Sequence, residues 1–426
     1  MHKELLKKII IENQEFIRKV EVQPRQLHLE KAANLVFVGP RRAGKTFAMF
    51  HLIKNMFTAG VPPTVVLYIN FEDERLLEMT SRDLDLILDA WRELFEQKPV
   101  IFLDEIQVID GWEKFARRLA DNKYRVFITG SNASMLSSEI ATTLGGRFMI
   151  QEIFPLTFAE YLQMKNITPE SNWQYSEQRF EIKKQFQDYF YFGGFPEIIQ
   201  FNNKRLWLNN LYQKIFFGDL IARYNIRNDF AMRLMVKKLA ESIHDEISFN
   251  RIRHIIQSTG VKIGTATIID YAHYLSETWL IFDIKNYYAK ITERESSGKY
   301  YFIDNGILAL FLMNPETILL ENSIACHLRR RYGKEIFFAK RNTEVDFYIP
   351  SANLLIQVAY QIDTEATIQR EINALVKAAT ELKANNLLII TLDDEKTIES
   401  NGYNIAIIPV WKWLLESDRY QVTGNR

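Results

Sequence analysis

One segment constrains this chain more than any other: GPRRAGKT at residues 39–46. It satisfies the spacing G-x-x-x-x-G-K-[ST], with Gly39, Gly44, Lys45 and Thr46 at the four required places. An apolar run, NLVFVG (34–39), precedes it, and a helix-forming stretch, TFAMFHLIKNMF (46–57), follows it. The pattern therefore predicts a buried strand, a tight turn and a helix. Glycines in such a turn leave no Cβ in the way of a phosphate, so backbone N–H groups point inward. The positive end of the helix dipole falls on the same place. Lys45 is expected to neutralise the β and γ oxygens of ATP, and the Thr46 hydroxyl to coordinate Mg²⁺. Pro40, Ala43 and Phe47 complete the nucleotide-binding stretch, while Arg41 and Arg42 either touch phosphate or lie on the surface.

A second strand-like run, PVIFLDE (99–105), ends in Asp104-Glu105, 59 residues beyond Lys45 (104 minus 45). Asp104 is expected to hold Mg²⁺ through its water shell. Glu105 is expected to orient and polarise the attacking water. The next run, RVFITGSN (125–132), ends in Thr129, Ser131 and Asn132. Ser131 or Asn132 serves there as a γ-phosphate sensor, or else caps a helix expected over 133–144. Arg147 follows that helix in LGGRF. It is either an arginine finger directed at a neighbouring subunit or a basic residue favoured by the helix dipole.

These motifs sit in a larger order. Apolar runs at 34–39, 65–71, 99–105, 125–131 and 148–154 alternate with amphipathic segments, as in a parallel α/β sheet. From about 157 to 245 helical, aromatic-rich periodicity takes over, broken by YFGGFPE (191–197). Residues 248–290 read helix, turn, helix, short strands, and a second α/β pattern begins near 300. Lys plus Arg and Asp plus Glu number 53 each, so no global basic field points to nucleic acid. The single cysteine, Cys326, permits no intramolecular disulfide and fits a reducing compartment. The N-terminal stretch lacks the uninterrupted apolar core of a secretory signal, and no run reaches a membrane span of roughly 18–20 residues. The expected address is the cytoplasm, with no membrane partner.

In the order GPRRAGKT, YINFEDERL, FLDEIQ, ITGSN, LGGRF, FPLTFAEYL, the chain resembles a family of bacterial AAA+ ATPases. The resemblance continues through YFGGFPE, IFFGDLIARY, KYYFIDNGI, LENSIACHLRR and EVDFYI. It implies a C-terminal domain related to restriction-endonuclease folds. It also places a recurrent acid at Glu72 or Asp73, most simply a solvated loop residue. The expected fold class is α/β: a P-loop AAA+ parallel-sheet core, a helical and winged-helix middle, and a PD-(D/E)xK nuclease-like α/β end. The expected parts are an N-terminal helix and linker at 1–30 and an ATPase core at 31–160. A helical lid at 161–245, a winged-helix-like segment at 246–298 and a nuclease-like domain at 299–426 follow. A homo-oligomer is expected, with a possible DNA or protein partner.

The middle segment carries few cations for DNA. Thr265, Thr267, Asp270 and His273 are the outward candidates of the second helix, and no Lys or Arg lies between 263 and 284. Lys262, Lys285, Lys290, Arg294 and Lys299 are the cations available for phosphate contact through the turn and wing. It reads as a domain joint or subunit interface more readily than as a DNA reader. In the tail, Glu321 and Asp346 match the first two acids of a PD-(D/E)xK site. Gln357-Val358-Ala359 stands where Glu-x-Lys belongs, unless Lys340 substitutes. The expectation is a degenerate nuclease fold, with ATP-dependent cleavage or a nucleotide-controlled binding switch as alternatives.

Overall fold

The apolar runs of the first 154 residues do form one sheet. The computed structural model describes residues 2–27, 29–30, 32–131, 142–362 and 364–417. The chain divides into two units, residues 1–154 with 277–279, and residues 155–276 with 280–426. The first contains α1 (Lys3–Lys19), β1 (Asn34–Val38), α2 (Lys45–Thr58), β2 (Val66–Asn70) and α3 (Asp85–Leu94). It continues with β3 (Val100–Asp104), α4 (Trp112–Asp121), β4 (Arg125–Gly130) and β5 (Phe148–Glu152). All strand pairs are parallel, in the order β2-β3-β4-β1-β5. Continuous Val, Ile, Leu and Phe suit strands covered on both faces. Because β4 lies between β1 and β3, the turn after β1 and the acids ending β3 flank the carboxyl end of β4. Ligands of open α/β sheets bind at such ends.

Residues 1–30, expected as a helix and linker apart from the core, belong to this unit. Leu6, Ile9, Ile10 and Ile17 are at most 1% exposed, and each such side chain contributes roughly 1.5–3 kcal/mol by burial. The polar side chains of α1 act on the sheet as well. Gln14 Nε2 donates to Val66 O at 2.9 Å and Asn13 Nδ2 to Tyr68 O at 3.1 Å. Since β2 is an edge strand, these two amides satisfy carbonyls that would otherwise be open to another chain.

The second unit opens with helices α5 (Phe158–Met164), α6 (Gln178–Phe192), α7 (Lys204–Gln213) and α8 (Asp229–Glu241). A π-helical stretch, Lys214–Ala222, extends α7. Next come β6 (Ile247–Ser248), α9 (Phe249–Gln257), α10 (Thr265–Glu277), β7 (Ile281–Asn286), α11 (Ile291–Ser296) and β8 (Ser297–Phe302). The remainder is α12 (Asn305–Leu308), α13 (Glu316–Tyr332), β9 (Phe337–Lys340), β10 (Glu344–Ile349), β11 (Leu354–Val358) and α14 (Glu365–Leu382). It ends with β12 (Asn386–Thr391), β13 (Lys396–Ser400), β14 (Tyr403–Pro409) and α15 (Val410–Glu416). Nine strands form one mixed sheet in the order β13-β14-β12-β11-β10-β9-β7-β8-β6.

Within this sheet β8 pairs antiparallel with both β6 and β7, and β7 runs parallel to β9. The boundary expected at 298/299 thus falls inside β8. The helices are tied in too. The Asp304 carboxylate accepts the Gly194 N–H at 2.7 Å and the Gly306 N–H at 2.8 Å. Asn305 Nδ2 donates to Phe190 O and Leu319 O, both at 3.0 Å. Trp411 and Trp413 are each 2% exposed, as core packing of a terminal helix requires. Among the described residues no helix is long and apolar enough to cross a membrane.

Candidate active site

The turn between β1 and α2 is built by close approach. Gly39 has φ 153°, and a Cβ there would lie 2.0 Å from the Ile153 carbonyl oxygen. Gly44, in the left-handed region at φ 97°, delivers the chain into α2 at Lys45. Arg25 clamps the turn from outside: its guanidinium donates to Ala43 O at 3.0 Å and to Phe154 O at 2.9 Å. Inside, Lys45 is 5% exposed. Its ammonium donates to Gly39 O at 3.2 Å and Pro40 O at 3.1 Å, and lies 3.7 Å from Glu105 Oε1. Burial lowers the Lys45 pKa despite the opposing pull of Glu105 and Asp104. An anion brought to this ammonium would restore what burial removes.

Asp104 is 1% exposed and fully engaged. Its Oδ2 accepts the Thr46 hydroxyl at 2.8 Å and the Tyr68 hydroxyl at 2.6 Å, and its Oδ1 accepts the Thr129 hydroxyl. Burial raises its pKa, and these three hydrogen bonds oppose the rise. Thr129 works twice, because its oxygen also accepts the Glu105 N–H at 2.8 Å. That contact holds Glu105 in the left-handed region, φ 53°, which a glutamate seldom adopts. Glu105 Oε2 in turn accepts the Ser131 N–H at 3.2 Å and a Gln107 side-chain N–H. A hydroxyl and a carboxylate in contact beneath a phosphate-wrapping turn are the hard oxygen donors that Mg²⁺ prefers, so these residues fit the ion.

Lys45, Thr46, Asp104, Glu105 and the Ser131 backbone therefore come together around one position. Arg41 Nη1 lies 3.9 Å from Glu72 Oε1. Burial raises the Glu72 carboxyl, and Glu105 adds to the rise while Arg41 opposes it, so Glu72 is part of this environment. Asp73 instead accepts from Arg75 N at 3.0 Å and pairs with that residue's guanidinium. Arg42 is exposed, and Phe47 is 48% exposed in an edge-on contact with Phe50. Arg147 contacts none of these groups: its guanidinium binds Asp121 on α4 and donates to Gly145 O at 2.9 Å. Asn132 and most of the helix expected at 133–144 lie outside the described residues. The sequence reading missed Arg25 and Tyr68, and it passed over Thr129 in favour of its neighbours.

A second charged cluster lies in the other unit, and it corrects an expectation. Lys299, counted among possible phosphate contacts, is 0% exposed and available to no nucleic acid. Its ammonium lies 2.9 Å from Glu344 Oε1, 3.3 Å from Asp346 Oδ1 and 3.6 Å from Glu321 Oε1. Burial would lower its pKa, but the three carboxylates outweigh burial and raise it. Glu321 also accepts the Tyr301 hydroxyl at 2.7 Å and contacts His244 Nδ1, and Asp346 accepts the Val358 N–H at 2.9 Å. Burial pushes Asp346 up to about 6, against the pull of Lys299. Lys340 pairs with Glu344, at 2.8 Å, and is half exposed.

Comparison with known proteins supports an AAA-type fold for the first unit. Residues 31–162 match a family described as an AAA domain, and residues 183–317 match a domain of unknown function, DUF8612. The uncharacterized protein MJ1544 of Methanocaldococcus jannaschii is 36% identical over 96% of this chain and 95% of its own length. An uncharacterized protein of Haemophilus influenzae is 27% identical over 89% of this chain and 94% of its own. The Walker-type ATPase paby2304 of Pyrococcus abyssi superposes with a TM-score of 0.41 at 11% identity, covering 73% of this chain and 95% of that one. The fold rests on the parallel sheet and its order, not on that loose superposition. By identity over nearly its full length this chain belongs to the family of MJ1544, and its residues 31–162 carry the AAA domain of P-loop ATPase-like proteins.

Proposed function

We propose that the chain hydrolyses ATP at the turn after β1 and uses the nucleotide state to change the conformation of its second unit. The contact between Thr46 and Asp104, with Glu105 held beside Lys45 by the Ser131 N–H, carries this reading. The backbone N–H groups of residues 39–46 hold the phosphates, and Lys45 neutralises the β and γ oxygens. Thr46 and Asp104 hold Mg²⁺, which when bound neutralises charge building on the phosphate oxygens. Glu105 accepts a proton as water attacks the γ-phosphorus, and the bond to the leaving ADP oxygen breaks. Thr129 fixes both acids at once, so neither needs to reorient during the reaction.

For the second unit, the order α8, β6, α9, α10, β7, β8, with β8 pairing both β6 and β7, supports a winged-helix reading. The α13 acid Glu321, the β10 acid Asp346 and the parallel β11–β12 pair support a nuclease-like reading of the end. Gln357 and Ala359 at the Glu-x-Lys positions argue that it cuts nothing. We read this unit as the part that ATP turnover moves or releases.

Arg147 supports an oligomer. Its pairing with Asp121 is half exposed and weak on its own, so the guanidinium is free to exchange that carboxylate for a neighbour's γ-phosphate. ATP turnover per chain, measured against protein concentration with and without DNA or RNA, tests this. The expected result is a rise with concentration, and a loss of about 10³–10⁵-fold in Arg147→Ala. Turnover strictly proportional to enzyme, unchanged in that variant, would contradict the oligomeric reading and leave the single-chain site standing.

A further inference from the structure

The cluster around Lys299 gathers groups from four distant places. Glu344 and Asp346 are alternate residues of β10 and share a face, as do Lys299 and Tyr301 on β8. Glu321 reaches them from α13, and His244 from the segment between α8 and β6. Three carboxylates so placed repel one another and lose water, and a cation among them lets them stay ionised. We propose that the Lys299 ammonium is the resident cation of this carboxylate site and keeps divalent metal ions out of it.

The geometry favours an ammonium over a metal. The three oxygens stand 2.9, 3.3 and 3.6 Å from Nζ, whereas Ca²⁺ draws oxygens to about 2.3–2.6 Å. Among the described residues no group of three or more His, Cys, Asp or Glu is arranged to hold a metal directly. Yet the surroundings suit a hard cation once the lysine is gone. Gln357 Oε1 is buried and has no hydrogen-bond partner among the described residues. Extending the β10–β11 register by one residue sets Gln357 opposite Asp346, on the same face. A route from solvent exists as well, because Glu344 and Gln357 both line an open groove of about 840 Å³. The inference rests on this geometry alone, and it stands whether or not the first unit hydrolyses ATP.

Terbium, a luminescent substitute for Ca²⁺, reports the site directly, because the Tyr301 hydroxyl lies 2.7 Å from Glu321 Oε1 and its ring can sensitise a bound ion. All arms use the nucleotide-free full chain carrying Asp104→Asn, which removes the carboxylate beside Tyr68. With Lys299 present, no saturable emission through Tyr301 is expected. Lys299→Ala is expected to bind about one equivalent, and Ca²⁺ is expected to raise its unfolding temperature, as metal binding to a folded site does. Adding Tyr301→Phe to that variant should remove the emission and keep the Ca²⁺ shift. If Lys299→Ala does not fold, Lys299→Met with Glu344→Gln removes one charge of each sign and carries the same test. Emission in the presence of Lys299 that Tyr301→Phe abolishes would overturn the proposal. So would a folded lysine variant with neither emission nor a Ca²⁺ shift.

Discussion

Lys45 and Lys299 are buried almost equally, at 5% and 0% exposure, yet their surroundings are opposite. Lys45 has two carbonyl oxygens and one carboxylate at 3.7 Å, and burial lowers its pKa. Lys299 has three carboxylates within 3.6 Å, which raise its pKa in spite of burial. One ammonium is under-compensated and gains from an arriving phosphate. The other is already neutralised by the fold and has nothing left to offer a ligand. Burial alone therefore does not mark a functional lysine; the sum of charge around it does.

Removing each lysine should separate the two cases. Lys299→Met leaves buried carboxylates without their cation, and chemical denaturation should show a loss of about 3–5 kcal/mol. ATP turnover per folded molecule should be unchanged. Lys45→Met should do the reverse, lowering turnover by about 10²–10³-fold while leaving the unfolding temperature of the nucleotide-free chain unchanged or higher. A stability loss in Lys45→Met equal to that in Lys299→Met would erase the distinction. The smallest effect concerns His244, which faces Glu321, Asp346 and Lys299. Burial lowers its pKa, but the Glu321 carboxylate more than reverses this and the net shift is upward from 6.5. A raised pKa stabilises the fold fully below the unfolded value, and that contribution is lost as pH rises through the folded one. Denaturation of the wild type and of His244→Gln, compared from pH 6 upward, should show the wild-type advantage shrinking. An advantage independent of pH would mean that His244 carries no charge there.

The same contrast marks what the sequence made legible. The turn at 39–46 and the acids at 104–105 are local patterns, each ending an apolar strand, and their strands lie where the runs predicted. Sheet order is not local, so nothing in VVLYINF distinguished Tyr68, which holds Asp104, from an ordinary core tyrosine. The roles of Asn13 and Gln14 are illegible in the sequence because their acceptors are backbone carbonyls of β2, which carry no sequence signal. The surroundings of Lys299 are illegible for the same reason, because its three carboxylate partners lie 22 to 47 residues further along the chain (321 minus 299; 346 minus 299). Local pattern places boundaries near residue 30 and at 298/299, whereas edge-strand covering and strand pairing decide where the units close.

ATP turnover and ATP binding in Glu105→Gln test the central claim most directly, since glutamine keeps the shape and one acceptor oxygen but takes no proton. With Mg²⁺ present, turnover should fall by about 10²–10⁴-fold, while ATP binding stays within a few-fold of wild type. Full turnover in Glu105→Gln would contradict hydrolysis at this site.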